Sequence, residues 1–247
     1  VRKQGINMNY IVGLDNRRRT KRAWMKAAGL NALPSAFIVD RNGIIQWLGY
    51  PTEPDSDFDL ILEKVMSGRY DVNKMEEVKD SIRTAKYHRK GNSWDDARSA
   101  YENAIAIDPI VFADQYIELF KMLLLEKRDE VAAYELATKI ITERGSEDPE
   151  LLTWLAKEIA SNEEITGSAR RMDVAMNAAK TAQTFAKRKN DPKYISTIAF
   201  VYYYDDKIED AIDWQRKAYL AAREKKKGLF KRTLEEYRDK KQLADGG

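Results

Sequence analysis

The chain has 247 residues, a formal net charge of +3, no cysteine and a single histidine, His88. Without cysteine, the chain itself holds no disulfide, thiolate metal ligand or reactive thiol, and one histidine excludes a two-histidine metal centre. Charged residues make up 34% of the chain and hydrophobic residues 43%, a balance typical of globular domains rather than disordered segments. No apolar run reaches the roughly 20 residues that a membrane-spanning helix needs. We therefore expect neither a membrane span nor a metal or other cofactor.

The first 70 residues show the alternation of short strands and helices that is typical of an α/β segment. The apolar run at residues 9–15 predicts a strand. Residues 16–28 predict a helix, with Asn16 as the candidate N-cap and Gly29 as its end.

A hairpin and a second helix are predicted next. The apolar runs at residues 35–40 and 44–49 predict two strands, and the turn at residues 40–43 contains Asn and Gly, which tolerate positive φ at low cost. A helix is predicted after the polar cap at residues 55–57, because apolar residues recur there at i, i+3, i+4 and i+7. Gly68 ends this helix.

Basic residues are concentrated near the start of the chain. Residues 1–26 contain eight Lys or Arg and one acid, and five of the cations are nearly contiguous: Arg17, Arg18, Arg19, Lys21 and Arg22. Such a patch binds nucleic acid or an anionic surface, or it is the solvated face of a helix. No aromatic residues interleave with the cations and no nucleic-acid motif accompanies them. This favours the solvated face and predicts no nucleic-acid partner.

The pattern changes across residues 69–76, which we interpret as the domain junction. Beyond it no strand is predicted, and small and apolar residues recur at helical spacing between short polar breaks. We predict four helical hairpins and a final capping helix, at residues 75–107, 113–144, 150–188, 192–224 and 228–243. The sequence thus predicts an α+β fold class, with a partial α/β domain over residues 1–72 and an all-α helical-hairpin solenoid over residues 73–247.

The helical part contains an internal repeat. Ala97, Tyr101 and Ala104 are spaced by four and three residues, and the same spacing recurs from Ala211, which lies 114 residues later, or three periods of 38. The small residues let the helices of a hairpin approach closely, and the larger residue fills the space between neighbouring repeats. The glutamine at position 215 stands where the first hairpin has its tyrosine.

This pattern resembles the tetratricopeptide repeat, and the first hairpin is the best match, with Ala85 at the small position of its first helix and Pro109 after its second. The resemblance implies a groove that binds a protein or peptide partner. It places Lys79, Arg83 and Lys86 on the groove-lining face, where charge-assisted hydrogen bonds would hold a peptide carboxylate. The alternative is a solvated basic face.

Several other residues are expected to be structural. The positions of the second hairpin that correspond to the three groove cations of the first hold Gln115, Glu118 and Met122. These residues do not build a second carboxylate-binding site. His88 occupies a packing position and has no partner that would make it a base. The aromatic residues of the last hairpin are expected to pack between helices: Tyr202, Tyr203, Tyr204, Trp214 and Tyr219.

Residues 20–51 resemble the C-terminal half of a thioredoxin-like domain, in particular the bacterial thiol–disulfide oxidoreductases of the TlpA type. The resemblance is carried by Trp24-Met25, Ala27-Ala28-Gly29, the run LPSAFIVD at residues 33–40, Asn42-Gly43, Ile45, Trp47, Gly49 and Pro51. It implies that Pro34 is the cis-proline of the family, at the wall of the redox site, and that the backbone of Leu33 pairs with an extended substrate. Alternatively, Pro34 ends an ordinary loop. Trp24 and Trp47 are expected in the core, with contacts beside this site as the alternative.

The chain departs from this family in one respect, because the reactive Cys-x-x-Cys pair of the family would lie before Val1. No catalytic residue is therefore expected in this chain, since disulfide exchange requires a thiolate. In the family, the strand that leads to the cysteine pair separates the strands matching residues 9–15 and 35–40. We expect a missing N-terminal segment or another chain to complete the sheet, because unpaired inner edges are avoided. The remaining option is direct pairing of these two strands.

Two functions follow from these resemblances. The first is a thioredoxin-like thiol–disulfide redox protein, with its cysteine pair outside this chain, fused to a protein-binding helical repeat array. The second is a non-catalytic adaptor, in which a degenerate redoxin head accompanies a peptide-binding repeat domain. The redoxin resemblance implies a bacterial periplasm or another extracytoplasmic site, with the cytoplasm as the alternative.

Overall fold

The computed structural model describes residues 13–188 and 190–245. Within these ranges the fold belongs to the α+β class, since it is mostly helical and holds a two-stranded antiparallel sheet. The chain divides into two compact units, Val1–Glu76 and Glu77–Gly247. Among the described residues, no helix combines the length and apolar character that crossing a bilayer requires.

The sheet of the first unit is a hairpin of β1 (Ala36–Val39) and β2 (Ile45–Gly49). Its turn is held by Asp40, whose carboxylate accepts hydrogen bonds from the backbone N–H groups of Asn42 at 2.8 Å and Ile44 at 2.9 Å. An aspartate that bonds the backbone two residues on is a common turn former. This is the hairpin that the two apolar runs predict.

A basic helical segment (residues 16–26) precedes the hairpin. It begins with a 3-10 turn, Asn16–Arg18, and continues as a π-helical turn, Lys21–Lys26. The prediction of Asn16 as the N-cap is wrong, because Asn16 itself lies in the first turn. The residue before it, Asp15, accepts hydrogen bonds from the N–H groups of Thr20 at 2.8 Å and Lys21 at 3.1 Å.

The helix α1 (Phe58–Ser67) follows the hairpin and ends at Gly68, which has a φ of 77° as a C-terminal glycine often does. The predicted polar cap at residues 55–57 is confirmed, and Ser56 supplies its side-chain hydrogen bond. Asp57 is the N-cap residue, but its carboxylate accepts the indole N–H of Trp47 at 2.6 Å instead of capping the helix. Ser56 Oγ accepts the first N–H of the helix at 3.3 Å.

The predicted strand at residues 9–15 lies mostly outside the described residues, and residues 13–15 are not in a strand. Within the described ranges, β1 pairs with β2 alone. The register places Ala36 opposite Gly49 and shifts between Ile38 and Val39. What lies along the other edge of β1 therefore stays a prediction.

The remaining helices follow one another in pairs. In chain order α2 to α10 are Val72–Lys90, Trp94–Ile107, Ala113–Lys121, Glu130–Lys139, Pro149–Ser161, Met172–Thr184, Pro192–Tyr204, Ile208–Ala221 and Glu224–Asp245. α4 and α5 continue into π-helical turns, Met122–Glu126 and Ile140–Arg144. The predicted helix positions are confirmed to within four residues at every bound, and the last helix begins four residues earlier than predicted.

Small residues let the helices of the second unit pack closely. Ala97 and Ala104 of α3 and Ala211 and Ala218 of α9 are wholly buried, as their spacing predicts. The first helices of successive pairs contact each other, α4 with α6 and α6 with α8, while α7 contacts α8. The main buried cluster extends from Ala85 to positions as late as 201. Each pair thus buries its apolar face against the next pair.

Candidate functional site

Three cations that the sequence analysis singles out share one groove on α2. Lys79, Arg83 and Lys86 line an open groove of about 480 Å³, and Lys90 adds a fourth cation. The four lie at i, i+4, i+7 and i+11, which places them along one face of the helix. The structure therefore brings the predicted peptide-binding residues together.

Two further side chains give this groove an apolar wall. Ile82 and Tyr87 line it, and the tyrosine is 74% exposed. The Tyr87 ring lies edge-on to the ring of His88, with centroids 5.5 Å apart. Exposed tyrosine is enriched where proteins bind one another. Tyr87 is not among the predicted site residues, although its position four residues after Arg83 places it on the same face of the helix.

The ionic contacts of the groove are weak and exchangeable. Arg83 lies 2.9 Å from Asp80, and both side chains are largely exposed, at 76% and 80%. Exposed pairs of this kind contribute at most about 1 kcal/mol. A ligand carboxylate can therefore replace Asp80 at little cost.

A partly exposed ionic network centred on Arg89 holds α2 in place. Arg89 points away from the groove and is 19% exposed. It donates from Nε to both carboxylate oxygens of Glu126, at 2.8 and 2.9 Å, and from Nη1 to Glu118 at 2.8 Å and to the Tyr101 hydroxyl at 3.2 Å. The hydrogen bond to Glu126 is the main reason that the pKa of Arg89 is raised. The network fixes which face of α2 the groove residues occupy.

The comparable positions of the next pair do not form a groove. Gln115 and Met122 are buried, at 7% and 0% exposure, and Glu118 binds Arg89. This agrees with the expectation that these three residues build no second carboxylate site, because Gln115 and Met122 pack into the core and Glu118 is paired with Arg89.

The loop between the basic helical segment and β1 presents Leu33 and Pro34. The peptide bond between them is cis, as the redoxin resemblance implies, and Leu33 is 81% exposed. The hydroxyl of Tyr50 accepts hydrogen bonds from the N–H groups of Asn31 at 3.1 Å and Ala32 at 3.4 Å. Tyr50, which the sequence analysis does not single out, thus holds this loop from the end of β2.

The two tryptophans of the first unit have different surroundings. Trp47 is partly buried, and its ring lies edge-on to Phe58 with centroids 5.1 Å apart. Trp24 contacts Phe37 in the same way at 5.2 Å, but it is 42% exposed. A core position is therefore wrong for Trp24, because no other described element covers this side of it.

The aromatic residues of the last pair attach the final helix. Tyr203 stacks on Tyr237 of α10, with centroids 4.4 Å apart and an interplanar angle of 19°. Gln215 of α9 is wholly buried. It accepts the hydroxyl proton of Ser196 at 2.8 Å and donates to the Phe230 carbonyl at 3.1 Å. These contacts agree with the structural role expected for the cluster.

No group of three or more potential metal ligands occurs among the described residues. Comparison with protein-family models, curated proteins and solved structures finds no match for the chain. What the site binds must therefore be argued from its own residues.

Proposed function

We propose that the chain is a peptide-binding helical-repeat protein of the tetratricopeptide type, whose residues 1–72 form the C-terminal part of a thioredoxin-like domain. The observation that carries the binding function is the groove of α2, where Lys79, Arg83, Lys86 and Lys90 line one open face. The ligand is a peptide that carries carboxylates.

The repeated helix pairs support this proposal. Each of the four helix pairs buries an alanine of its second helix, at positions 97, 133, 175 and 211, and successive pairs pack against each other. Such stacks leave long open surfaces on which extended partners bind.

The chemistry of the groove favours carboxylates next to an apolar side chain. Lysine and arginine form charge-assisted hydrogen bonds with carboxylates, each contributing about 1.5–3 kcal/mol when well formed and less when exposed. Tyr87 and Ile82 offer apolar contact beside the cations. Affinity should therefore fall as salt concentration rises.

Fluorescence polarisation with a labelled peptide containing three acidic residues and a free C-terminal carboxylate tests the proposal. Reversing three groove charges (Lys79→Glu, Arg83→Glu and Lys86→Glu) should weaken binding tenfold or more, on the order of 1.4 kcal/mol. The matched control reverses two lysines and one arginine that are exposed on α10: Lys225→Glu, Lys226→Glu and Arg232→Glu. Equal losses in both triple variants would contradict a site on α2.

Thiol–disulfide exchange is the second candidate function. Its support is the loop that Tyr50 holds ahead of the β1–β2 hairpin, where Leu33 is exposed for contact with an extended substrate. A cysteine pair outside this chain would supply the thiols. One thiolate attacks the partner's disulfide, the second thiol resolves the mixed disulfide, and two thiols are oxidised as one disulfide is reduced.

Insulin reduction by the natural protein, as its gene encodes it, tests this second function. Activity that disappears when both cysteines of a Cys-x-x-Cys pair become serine supports exchange. A natural protein without such a pair contradicts it and leaves the adaptor, in which the thioredoxin-like part has no catalytic role.

A further inference from the structure

The basic helical segment (residues 16–26) concentrates five cations in one groove. Arg17, Arg18, Lys21, Arg22 and Lys26 line an open groove of about 480 Å³. Within residues 13–188 and 190–245, no carboxylate forms an ion pair with any of these five cations.

The acid nearest to these cations in sequence is occupied by backbone donors. Asp15 accepts the N–H groups of Thr20 and Lys21, and these hydrogen bonds, that from Thr20 first, lower the pKa of its carboxyl group. Surface cations of the second unit differ, because many pair within their own helix, as Arg98 does with Glu102 at 2.8 Å. The segment thus attracts an external anion more strongly than an ordinary solvated helix face.

An apolar recess of about 340 Å³ lies on another side of the same segment. Its lining is apolar throughout and consists of Trp24 and three alanines of the segment with Phe37, Ile45 and Leu48 of the hairpin. Trp24, Ile45 and Leu48 are each about two-fifths exposed, at 42%, 40% and 42%. The recess is therefore open to solvent and large enough for a bulky side chain.

The first unit has few buried residues with which to stabilise this recess. The buried hydrophobic residues among its described positions are Leu30, Ile38 and Ile61. A two-stranded hairpin is marginally stable without a third strand or a covering element. An exposed apolar patch of this kind is typical of a protein-binding site.

We propose that the basic groove and the apolar recess together bind an acidic segment of a protein partner, which inserts a bulky apolar side chain between Trp24 and Leu48. Charge complementarity selects an acidic partner, because the segment that lines the recess also carries five cations that form no ion pair with a carboxylate of the described residues. The concave recess fits an inserted side chain, whereas a lipid bilayer would require a protruding apolar face. This site shares no residue with the groove on α2, so it does not depend on the proposed function.

Labelled 15-residue peptides test this site on the full chain. One peptide carries a central Phe-Leu pair flanked by glutamates. Two matched peptides replace either the Phe-Leu pair by Ala-Ala or the glutamates by glutamines. We expect the first peptide to bind at least tenfold more tightly than either matched peptide. If the peptide with Ala-Ala in place of Phe-Leu binds as tightly as the first peptide, the recess does not bind an apolar side chain. If the peptide with glutamines in place of the glutamates binds as tightly as the first peptide, binding does not require acidic residues.

Variants of the protein locate the binding. The double variant Arg22→Glu and Lys26→Glu should weaken binding of the first peptide tenfold or more. Ala27→Trp, which fills the recess without removing a core side chain, should weaken it by a similar factor. Lys225→Glu with Lys226→Glu is the charge-matched control and should leave binding unchanged. No binding of the first peptide, or loss in the control alone, overturns the proposal. Tighter binding to vesicles of phosphatidylcholine and phosphatidylserine, or to duplex DNA, with the same variant pattern also overturns it.

Discussion

Arg89 and Glu126 lie 37 residues apart, yet Nε of Arg89 donates to both carboxylate oxygens of Glu126, at 2.8 and 2.9 Å. The same guanidinium reaches Glu118 of α4 and the hydroxyl of Tyr101 of α3. One largely buried side chain therefore links the first helix pair to the second. Its planar fork of donors suits this arrangement better than a lysine would.

Replacing Arg89 should destabilise the second unit. Arg89→Met removes the donors, leaves Glu126 without this partner and leaves Glu118 with Lys121 alone, so we expect the free energy of unfolding to fall by about 1–2 kcal/mol, since both carboxylates are partly exposed to solvent. Urea denaturation followed by circular dichroism measures this. Arg98→Met is the control, because the exposed Arg98–Glu102 pair should contribute only about 0.5 kcal/mol or less. Similar losses in the two variants would show that the network has no special role.

The pKa of Glu118 leads to a prediction about pH. Burial raises this pKa, but the hydrogen bond from Arg89 and the charges of Lys121 and Arg89 together lower it below its ordinary value of 4.5. A lowered pKa contributes stability that is present above the unfolded pKa and lost as the pH falls through the folded pKa. We expect Glu118→Gln to be less stable than the wild type at pH 7 and to lose less stability between about pH 5 and 3. Parallel stability curves in urea titrations would refute this assignment.

The buried Gln215 should hold the final helix. Gln215→Leu keeps the volume approximately but leaves the Ser196 hydroxyl and the Phe230 carbonyl without their partner, at a cost of about 1–3 kcal/mol. Hydrogen exchange of the α10 amides should accelerate accordingly. Gln242→Leu, at an exposed position of α10, is the control and should leave the exchange unchanged. Unchanged exchange in Gln215→Leu would mean that the aromatic contacts alone attach α10.

The hydroxyl of Tyr50 should keep the Leu33–Pro34 loop ordered. Tyr50→Phe removes the acceptor for the N–H groups of Asn31 and Ala32. Loss of about 1 kcal/mol should raise the exchange rates of these two amides roughly fivefold in NMR measurements. Tyr87→Phe, which removes a hydroxyl from an exposed ring, is the control. Equal rates in the two variants would contradict the anchoring role.

Local signals in the sequence are enough to predict the helices and the hairpin. These signals act within a few residues of the chain. They are the helical periodicity, the proline that follows an aspartate cap at Pro149 and Pro192, and the turn at residues 40–43. The contacts that shape the sites act over longer distances, because the partner of Arg89 is 37 residues away and that of Asn31 is 19 residues away. No periodic pattern marks such partners.

The residues that line the two grooves differ in how far their sequence predicts their position. The shared face of the α2 cations follows from helical spacing alone, so it could be predicted. The exposure of Trp24 could not, because a tryptophan among alanines has the pattern of a core residue. Whether a covering element exists is a property of the tertiary structure.

The π-helical turns that close α4 and α5 have a consequence for the evolution of repeat length. Such a turn accommodates one more residue than an α-helical turn. Both turns keep their apolar side chains buried, including Met122 and Leu123 in the first and Ile140 and Ile141 in the second. Insertions can thus be absorbed within a helix instead of a loop, and units of unequal length still stack in register.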